Sequence, residues 1–337
     1  MKCLLIIGCG DIALRTIPLL KQRYRVFAMV RNADYCAKLR ALGVMPILGN
    51  LDYRASLSRI AGLADAVLHF APPPTKESPL RPPFSKGGTN KNMRLANSSP
   101  QRNSHLTSSP PLVPPFVKGG QGGFELQGGF NATDPRTRNL LAILSQGTLP
   151  KHFVYISTSG VYGDCGGAII SETHPLNAQT ARAQRRIDAE QQIRSWATRN
   201  RVHASILRVP GIYAANRLPL DRLRAGTPAI VQEEDSYTNH IHADDLARIV
   251  VAALQNAKPN RLYHASDDSQ LKMGDYFDAV ADAHDLPRPP RLPRAEVERT
   301  VSPVLWSFMN ESRRLINTRM KRELKVELLH PTVEIKC

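Results

Sequence analysis

Nearly continuous apolar runs alternate with segments of helical spacing along the first seventy residues. Lys2–Ile7 (KCLLII) predicts a buried strand, residues 11–23 a helix and Tyr24–Val30 (YRVFAMV) a second strand. A helix over 34–42, a strand over Met45–Leu48, a short helix over 57–61 and a strand over 66–71 (AVLHFA) come next. Strands that are apolar on both faces and separated by helices build a parallel sheet covered on both sides, a doubly wound α/β fold.

The alternation stops at residue 74. From there to 130 the chain is rich in Pro, Gly, Ser and Asn, and PLRPPFSKGG at 79–88 returns as PLVPPFVKGG at 111–120. Without a periodic apolar face such a stretch cannot offset its ordering entropy. It reads as a disordered insertion over 75–130 between a strand and its next helix; extended proline motifs recruiting a partner are the alternative. Order resumes with a helix at Pro135–Leu144, a strand at 152–157 (HFVYIS), a long helix over 181–199 and a strand at 204–209 (ASILRV). A strand at 227–231, a helix over 243–254, a strand at 261–266, a helix over 273–284 and a helical C-terminal stretch complete the series. The expected domains are a nucleotide-binding unit over 1–74 and 131–215, and a smaller substrate cap over 216–337 that includes returning pieces of the main sheet.

Composition narrows the function classes. No apolar run approaches the ~18 residues needed to cross a bilayer. Asp11 and two glycines interrupt the apolar start too early for a signal peptide, so a cytoplasmic protein without a membrane partner is expected. Five cysteines (Cys3, Cys9, Cys36, Cys165 and Cys337) form an odd set without CxxC spacing, which argues against a disulfide framework and a zinc site. The net charge of +16 is spread along the chain without aromatic interleaving or a helix-turn-helix pattern. It fits a polyanionic cofactor and small-molecule substrate better than nucleic acid.

The first candidate site is the loop Gly8-Cys9-Gly10-Asp11-Ile12-Ala13, a G-x-G-x-x-A pattern that leaves a strand and opens a helix. Gly8 allows the tight turn, Gly10 lets backbone approach a pyrophosphate, and Ala13 allows close helix–strand packing at the positive helix terminus. Cys9, in this loop, reads as a packing residue more than an oxidisable thiol. About twenty residues on, an acid would serve the ribose 2′-hydroxyl of NAD. Here Val30-Arg31-Asn32 stands instead, and the Arg31 guanidinium suits the 2′-phosphate of NADP, with NAD as the alternative.

The strings YISTSGVYGDCGG, SETHPLNA, LRVPGIY and NHIHADDLARI, in that order, resemble the extended short-chain dehydrogenase/reductases of the nucleotide-sugar epimerase/dehydratase group. The resemblance runs from Lys2 to about Asp268 apart from the insertion, and SFMNESRRLIN resembles a narrower, atypical branch. It implies a Rossmann domain with a small C-terminal substrate domain, an NAD(P) cofactor and a nucleotide-sugar or related alcohol or carbonyl substrate, and it admits a homodimer. It also implies that Asp52 of GNLD lies near the adenine, Ala71, Pro72 and Ser157 beside the cofactor, and Pro210 near the nicotinamide.

The family's chemistry uses a Ser/Thr hydroxyl and a Tyr-x-x-x-Lys pair. Alignment on Val-Tyr-Gly puts Thr158 at the hydroxyl position, with Ser159 adjacent. No Tyr-x-x-x-Lys occurs in the chain. Counting from Pro175 forward or Glu190 back places Arg182 and Arg186 where the pair belongs, and arginine cannot act as a general base. Arg186 could hold the cofactor ribose, the two could bind a substrate phosphate, or both could be exposed on a helix whose Ala189, Ile193 and Trp196 face the core. Tyr162 is a candidate surrogate acid. His240, His242, Asp244 and Asp245 could suggest a metal, but the strand-to-helix reading is stronger, with Asp244 or Asp245 capping the helix. The leading expectation is an NADP-binding oxidoreductase or epimerase-like protein with a non-standard active site; the rival is a non-catalytic NADP-binding sensor or scaffold.

Replacing residues 76–129 by a short linker should leave a soluble protein that still binds nicotinamide cofactor. Loop closure entropy changes stability by only ~1–2 kcal/mol here, and limited proteolysis of the intact chain should cut first inside this stretch. An insoluble short variant, or one that expresses well without binding cofactor, would show that the segment packs against the site.

Overall fold

The computed structural model describes residues 1–74 and 132–333; the segment read as a disordered insertion lies outside them. Seven parallel strands form the central sheet: β1 (Lys2–Ile7), β2 (Tyr24–Val30), β3 (Met45–Leu48), β4 (Ala66–His69), β5 (His152–Thr158), β6 (His203–Val209) and β7 (Arg261–His264). Their order is β3-β2-β1-β4-β5-β6-β7. The chain winds outward from β1 to β3, then returns past β1 to β4, so a crevice opens beyond the carboxyl ends of β1 and β4.

Alternation within each strand explains the two-sided burial. Leu4 and Ile6 of β1 join a core on one face, together with Ile17 of α1 (Asp11–Leu20); Leu5 and Ile7 join a core on the other. After β2 comes α2 (Tyr35–Ala41), and a 3-10 helix at Arg54–Ile60 stands where the pattern predicts a helix over 57–61. On the second face α3 (Pro135–Leu144) and α4 (Ala181–Asn200) cover the sheet with Leu140, Ile193 and Trp196. On the first face α5 (Ala243–Asn256) supplies Leu246 and Val250, and the helix Thr318–Leu324 supplies Met320. Helix starts are set locally. Asp134 Oδ1 accepts the Arg136 amide at 3.0 Å ahead of Pro135, and Thr180 Oγ1 accepts the Ala183 amide at 3.2 Å.

The last third of the chain returns β7 to the sheet edge and adds a smaller apolar centre. There Leu223 and Ala229 pack on Tyr276, Phe277 and Val280 of α6 (Met273–Ala283). Two-stranded parallel pairs tie this part to the sheet: Gly211–Tyr213 with His240–His242, and Ile169–Ile170 with Arg314–Leu315. No described helix is long and apolar enough to cross a membrane.

Asp267, just past β7, is 3 % exposed. Its Oδ1 accepts the Ser269 amide at 3.0 Å, while Oδ2 has no partner among the described residues. Burial pushes its pKa up to about 7. The folded carboxyl therefore holds its proton to higher pH than the unfolded one. The stability it contributes is complete below the ordinary carboxylate range and is lost as pH rises to about 7. Asp267→Asn should raise the thermal midpoint at about pH 8 and leave it nearly unchanged at about pH 4; an equal effect at both values would mean that the charge is compensated.

Candidate functional site

A cavity of about 560 Å³ runs along the carboxyl ends of β2, β1, β4 and β5 and past β6, a size suited to a cofactor. Its middle is the β1–α1 turn. Gly8 has φ +89°, and a β-carbon there would stand 2.6 Å from the Ala71 amide nitrogen, so this close approach of two loops admits only glycine. At Gly10, the residue before α1, a β-carbon would meet nothing within 4 Å. That leaves open space in front of the helix amides, as a pyrophosphate requires. Asp11 would repel such an anion, but Arg15 holds its carboxylate at 3.1 Å and Arg217 at 3.2 Å. Cys9, Ile12 and Ala13 complete this wall; burial raises the Cys9 thiol to about 11, which keeps it protonated and unreactive.

Sheet order then assigns the two ends. Arg31, Asn32 and Tyr35 follow β2 and close one end, with Asn50 and Leu51. Arg31 is exposed and forms no ion pair among the described residues. Asp52 stands close by, but its carboxylate grips Arg136 at 2.7 and 2.8 Å, and Arg136 also donates to the Pro72 carbonyl at 3.2 Å. Arg136, not Asp52, therefore lines the cavity. It joins the loops after β3 and β4 to the start of α3. Nothing in the spacing pointed to Arg136, because its partner lies 84 residues away.

At the other end Ile156, Arg186 and Ile212 form the wall; Pro210 is half-buried two residues before Ile212. Arg186 Nη1 donates to the Tyr155 hydroxyl at 3.0 Å and to the Ile156 carbonyl at 2.5 Å. It is thus anchored into the site, unlike an exposed helix arginine. Arg182, one turn earlier, is exposed and lays its guanidinium 4.2 Å from the centre of the Phe308 ring. Thr158, just outside the cavity lining, accepts the Gly160 amide on Oγ1 at 3.2 Å, and its hydroxyl donates to no partner among the described residues. Ser159 is buried beside it. Ser157 turns away from the cleft, donating to Glu190 at 2.5 Å.

Tyr162 is not brought to this group. It is fully buried, and its hydroxyl meets Arg208 Nη1 at 2.6 Å and His264 Nε2 at 2.6 Å. His264 Nδ1 bonds the Ile316 carbonyl at 2.9 Å, so Nδ1 carries the proton and Nε2 accepts from Tyr162. Burial lowers His264 to about 3 and raises Tyr162 to about 12, and the phenol proton is committed inside the protein. Arg208 in turn holds Glu190 at 2.7 Å, both side chains 4 % exposed.

The strand-to-helix segment departs from expectation in its cap. His242 Nδ1, rather than Asp244 or Asp245, accepts at the start of α5, from the Asp244 amide at 3.2 Å. Asp245 is buried, receiving the amides of Leu329 and His330 at 2.8 Å each. His242, Asp244 and His330 do converge. Yet His242 spends its Nδ1 lone pair on the cap, and Asp244 Oδ1 is held by Arg15 at 2.5 Å. These bonds make the set a helix start joined to the C-terminal segment.

Fold and cleft together define a doubly wound α/β protein of Rossmann-like strand order, with an open helix terminus at its switch point. Residues 136–265 match the family model described as "NAD dependent epimerase/dehydratase family". Over those residues the chain carries the pattern of the family its motifs resemble. It matches none of the curated proteins. Among solved structures it is similar to a functionally unknown conserved protein from Silicibacter pomeroyi (24% identity, 98% of this chain and 95% of that one, TM-score 0.67). It is also similar to the dTDP-glucose 4,6-dehydratase DesIV from Streptomyces venezuelae with NAD and TYD bound (16% identity, 96% and 91%, TM-score 0.65). A third is MoeE5 in complex with UDP-glucose and NAD (15% identity, 97% and 93%, TM-score 0.63). At these identities the likeness is one of fold.

Tyr162→Phe should lower unfolding stability by ~1–3 kcal/mol, because Arg208 Nη1 and His264 Nε2 lose their shared buried partner. Cofactor affinity should not change. A variant as stable as the parent that binds cofactor poorly would instead place the phenol in the cleft.

Proposed function

We propose that the protein binds NADP(H) in the 560 Å³ cleft and acts on an alcohol or carbonyl group of a nucleotide-sugar or related small molecule. The observation that carries the reading is the β1–α1 turn, where Gly8, Gly10 and the open helix terminus make room for a pyrophosphate. NAD and nucleotide ligands bound in structures of the same fold support it. Gly8 to Ala13 would hold the pyrophosphate, Arg31 and Asn32 the adenosine ribose with its 2′-phosphate, and Ala71, Pro72 and Ile212 would flank the rest. The nicotinamide, when bound, supplies a hydride donor or acceptor.

The chain's own residues restrict the chemistry. The free hydroxyl proton of Thr158 can be donated to a substrate oxygen and polarise its carbonyl. Arg182 cannot remove a proton, so alcohol oxidation lacks the usual base. Hydride transfer with ordinary nucleotide-sugars is therefore slow. The burial of Tyr162 favours a second reading, a cofactor-binding sensor or scaffold without turnover.

One set of measurements separates these. Fluorescence titration should show tighter binding of NADPH than NADH, and Arg31→Asp should reverse the order by repelling the 2′-phosphate and accepting from the 2′-hydroxyl. Equal affinities in the parent would remove the NADP assignment. Any hydride exchange should vanish in Thr158→Ala while cofactor affinity stays within about twofold, the span of a negligible ~0.4 kcal/mol. Exchange that survives that substitution would sink the role of Thr158, and none in the parent would leave the sensor reading.

A further inference from the structure

The start of α4 carries two guanidinium groups, Arg182 and Arg186, at i and i+4 on one side of the helix. Like charges at this spacing repel and destabilise a helix. Among the described residues neither is ion-paired to a carboxylate; their partners are an aromatic ring, a phenol and a backbone carbonyl. Exposed as it is, Arg182 is partly desolvated, which presses its pKa downward, and the Arg186 charge adds to that. Glu311, the acid whose charge acts on Arg182, is itself bonded to Arg313 at 2.7 Å and half committed elsewhere.

Both groups are nonetheless held in place. Phe308 fixes the plane of Arg182 by stacking at 4.2 Å, and Tyr155 with Ile156 fixes Arg186 through one nitrogen, Nη1. Among the described residues the remaining N–H donors of Arg186 have no partner, and Arg186 shares the cavity wall with Ile156 and Ile212. That is the end farthest, in sheet order, from Arg31, where a dinucleotide lying across the carboxyl ends of the strands puts its nicotinamide.

We infer that Arg186, on the cavity wall, and Arg182, one helical turn outside the lining, form an oxyanion subsite at the rim of the cleft's nicotinamide end, which takes a phosphate or carboxylate on the reacting portion of the substrate. Planar, pre-placed guanidinium forks match either group bidentately, and the anion adds a direct ion-pair partner where Asp134 acts on Arg186 and Glu311 on Arg182 without one. The inference rests on the proposed orientation of the cofactor. It specifies a substrate class: an acid whose anionic group lies close to the carbon that exchanges hydride.

The test is calorimetric titration of the NADPH-saturated protein with inorganic phosphate and, separately, with malonate, at low ionic strength. One of the two should bind at a single site, and the tighter one identifies the anion. Arg182→Gln should weaken that binding about tenfold, and Arg182→Lys, which keeps the charge but not the fork, by less. NADPH affinity should be the same in all three proteins. Should the protein fail to bind NADPH, the same comparison of parent with Arg182→Gln on the cofactor-free protein still reads the subsite, so the two failures are distinct. Absence of phosphate and malonate binding, or equal binding in parent and Arg182→Gln, would overturn the subsite.

Discussion

The buried pair between Arg208 on β6 and Glu190 on α4 is the constraint around which the carboxyl half of the molecule is arranged. Both charges lie almost out of water, where desolvation costs several kcal/mol per ion unless every lone pair and proton is used. They are used: Ser157 donates to Glu190, and Arg208 donates to Glu190 and to the Tyr162 hydroxyl. Tyr162 donates its proton to His264 on β7, whose other nitrogen donates to the Ile316 carbonyl. One chain of bonds thus links β5, β6, β7, α4 and the C-terminal segment, and removing any member leaves a buried group unpaired. It also takes Ser157 and Tyr162 out of the chemistry.

The cleft on the opposite side of β5 obeys another constraint, that of charge. Its lining includes Arg31, Arg136, Arg186 and Arg217 against Asp11. Arg136 is neutralised by Asp52, and Asp11 by Arg15 and Arg217. The lining arginines without an ion-pair contact among the described residues sit at the two ends, Arg31 at one and Arg186 at the other. A polyanionic dinucleotide lying between these ends meets no free carboxylate among the described residues on its path.

The absent Tyr-x-x-x-Lys and the glycine turn after β1 answer to different physical demands. The turn depends on backbone conformation and on close packing, which Gly8, Gly10 and Ala13 satisfy without functional side chains. Proton removal from an alcohol depends on one group with a tunable pKa in one place, and at that place this chain carries a group that never loses its proton. The wall at the Arg186 end of the cleft, Ile156, Arg186 and Ile212, offers no base among the described residues, and Thr158 and the two arginines enter the chemistry only through the proposed function.

The sheet, its helices and the phosphate loop were legible in the sequence, because apolar alternation and glycine spacing are local and repeat within a few residues. Strand boundaries for β1, β2 and β3 coincide with the predicted runs, although β3 at the sheet edge is exposed at Met45 and Leu48, and β1 and β2 start on the polar Lys2 and Tyr24-Arg25. The missing Tyr-x-x-x-Lys was equally plain. Tertiary structure decided the rest. Asp52 was readable as a cleft residue, but only folding brings Arg136 across 84 positions to occupy its carboxylate. Tyr162 sits in a string that resembles an active site, yet its fate was set by Arg208 and His264, 46 and 102 residues on. The cap of α5 fell to His242 because Asp245 was needed by the amides of Leu329 and His330. In each case a polar group leaving water takes whichever partner the packing supplies, and that partner is remote in sequence.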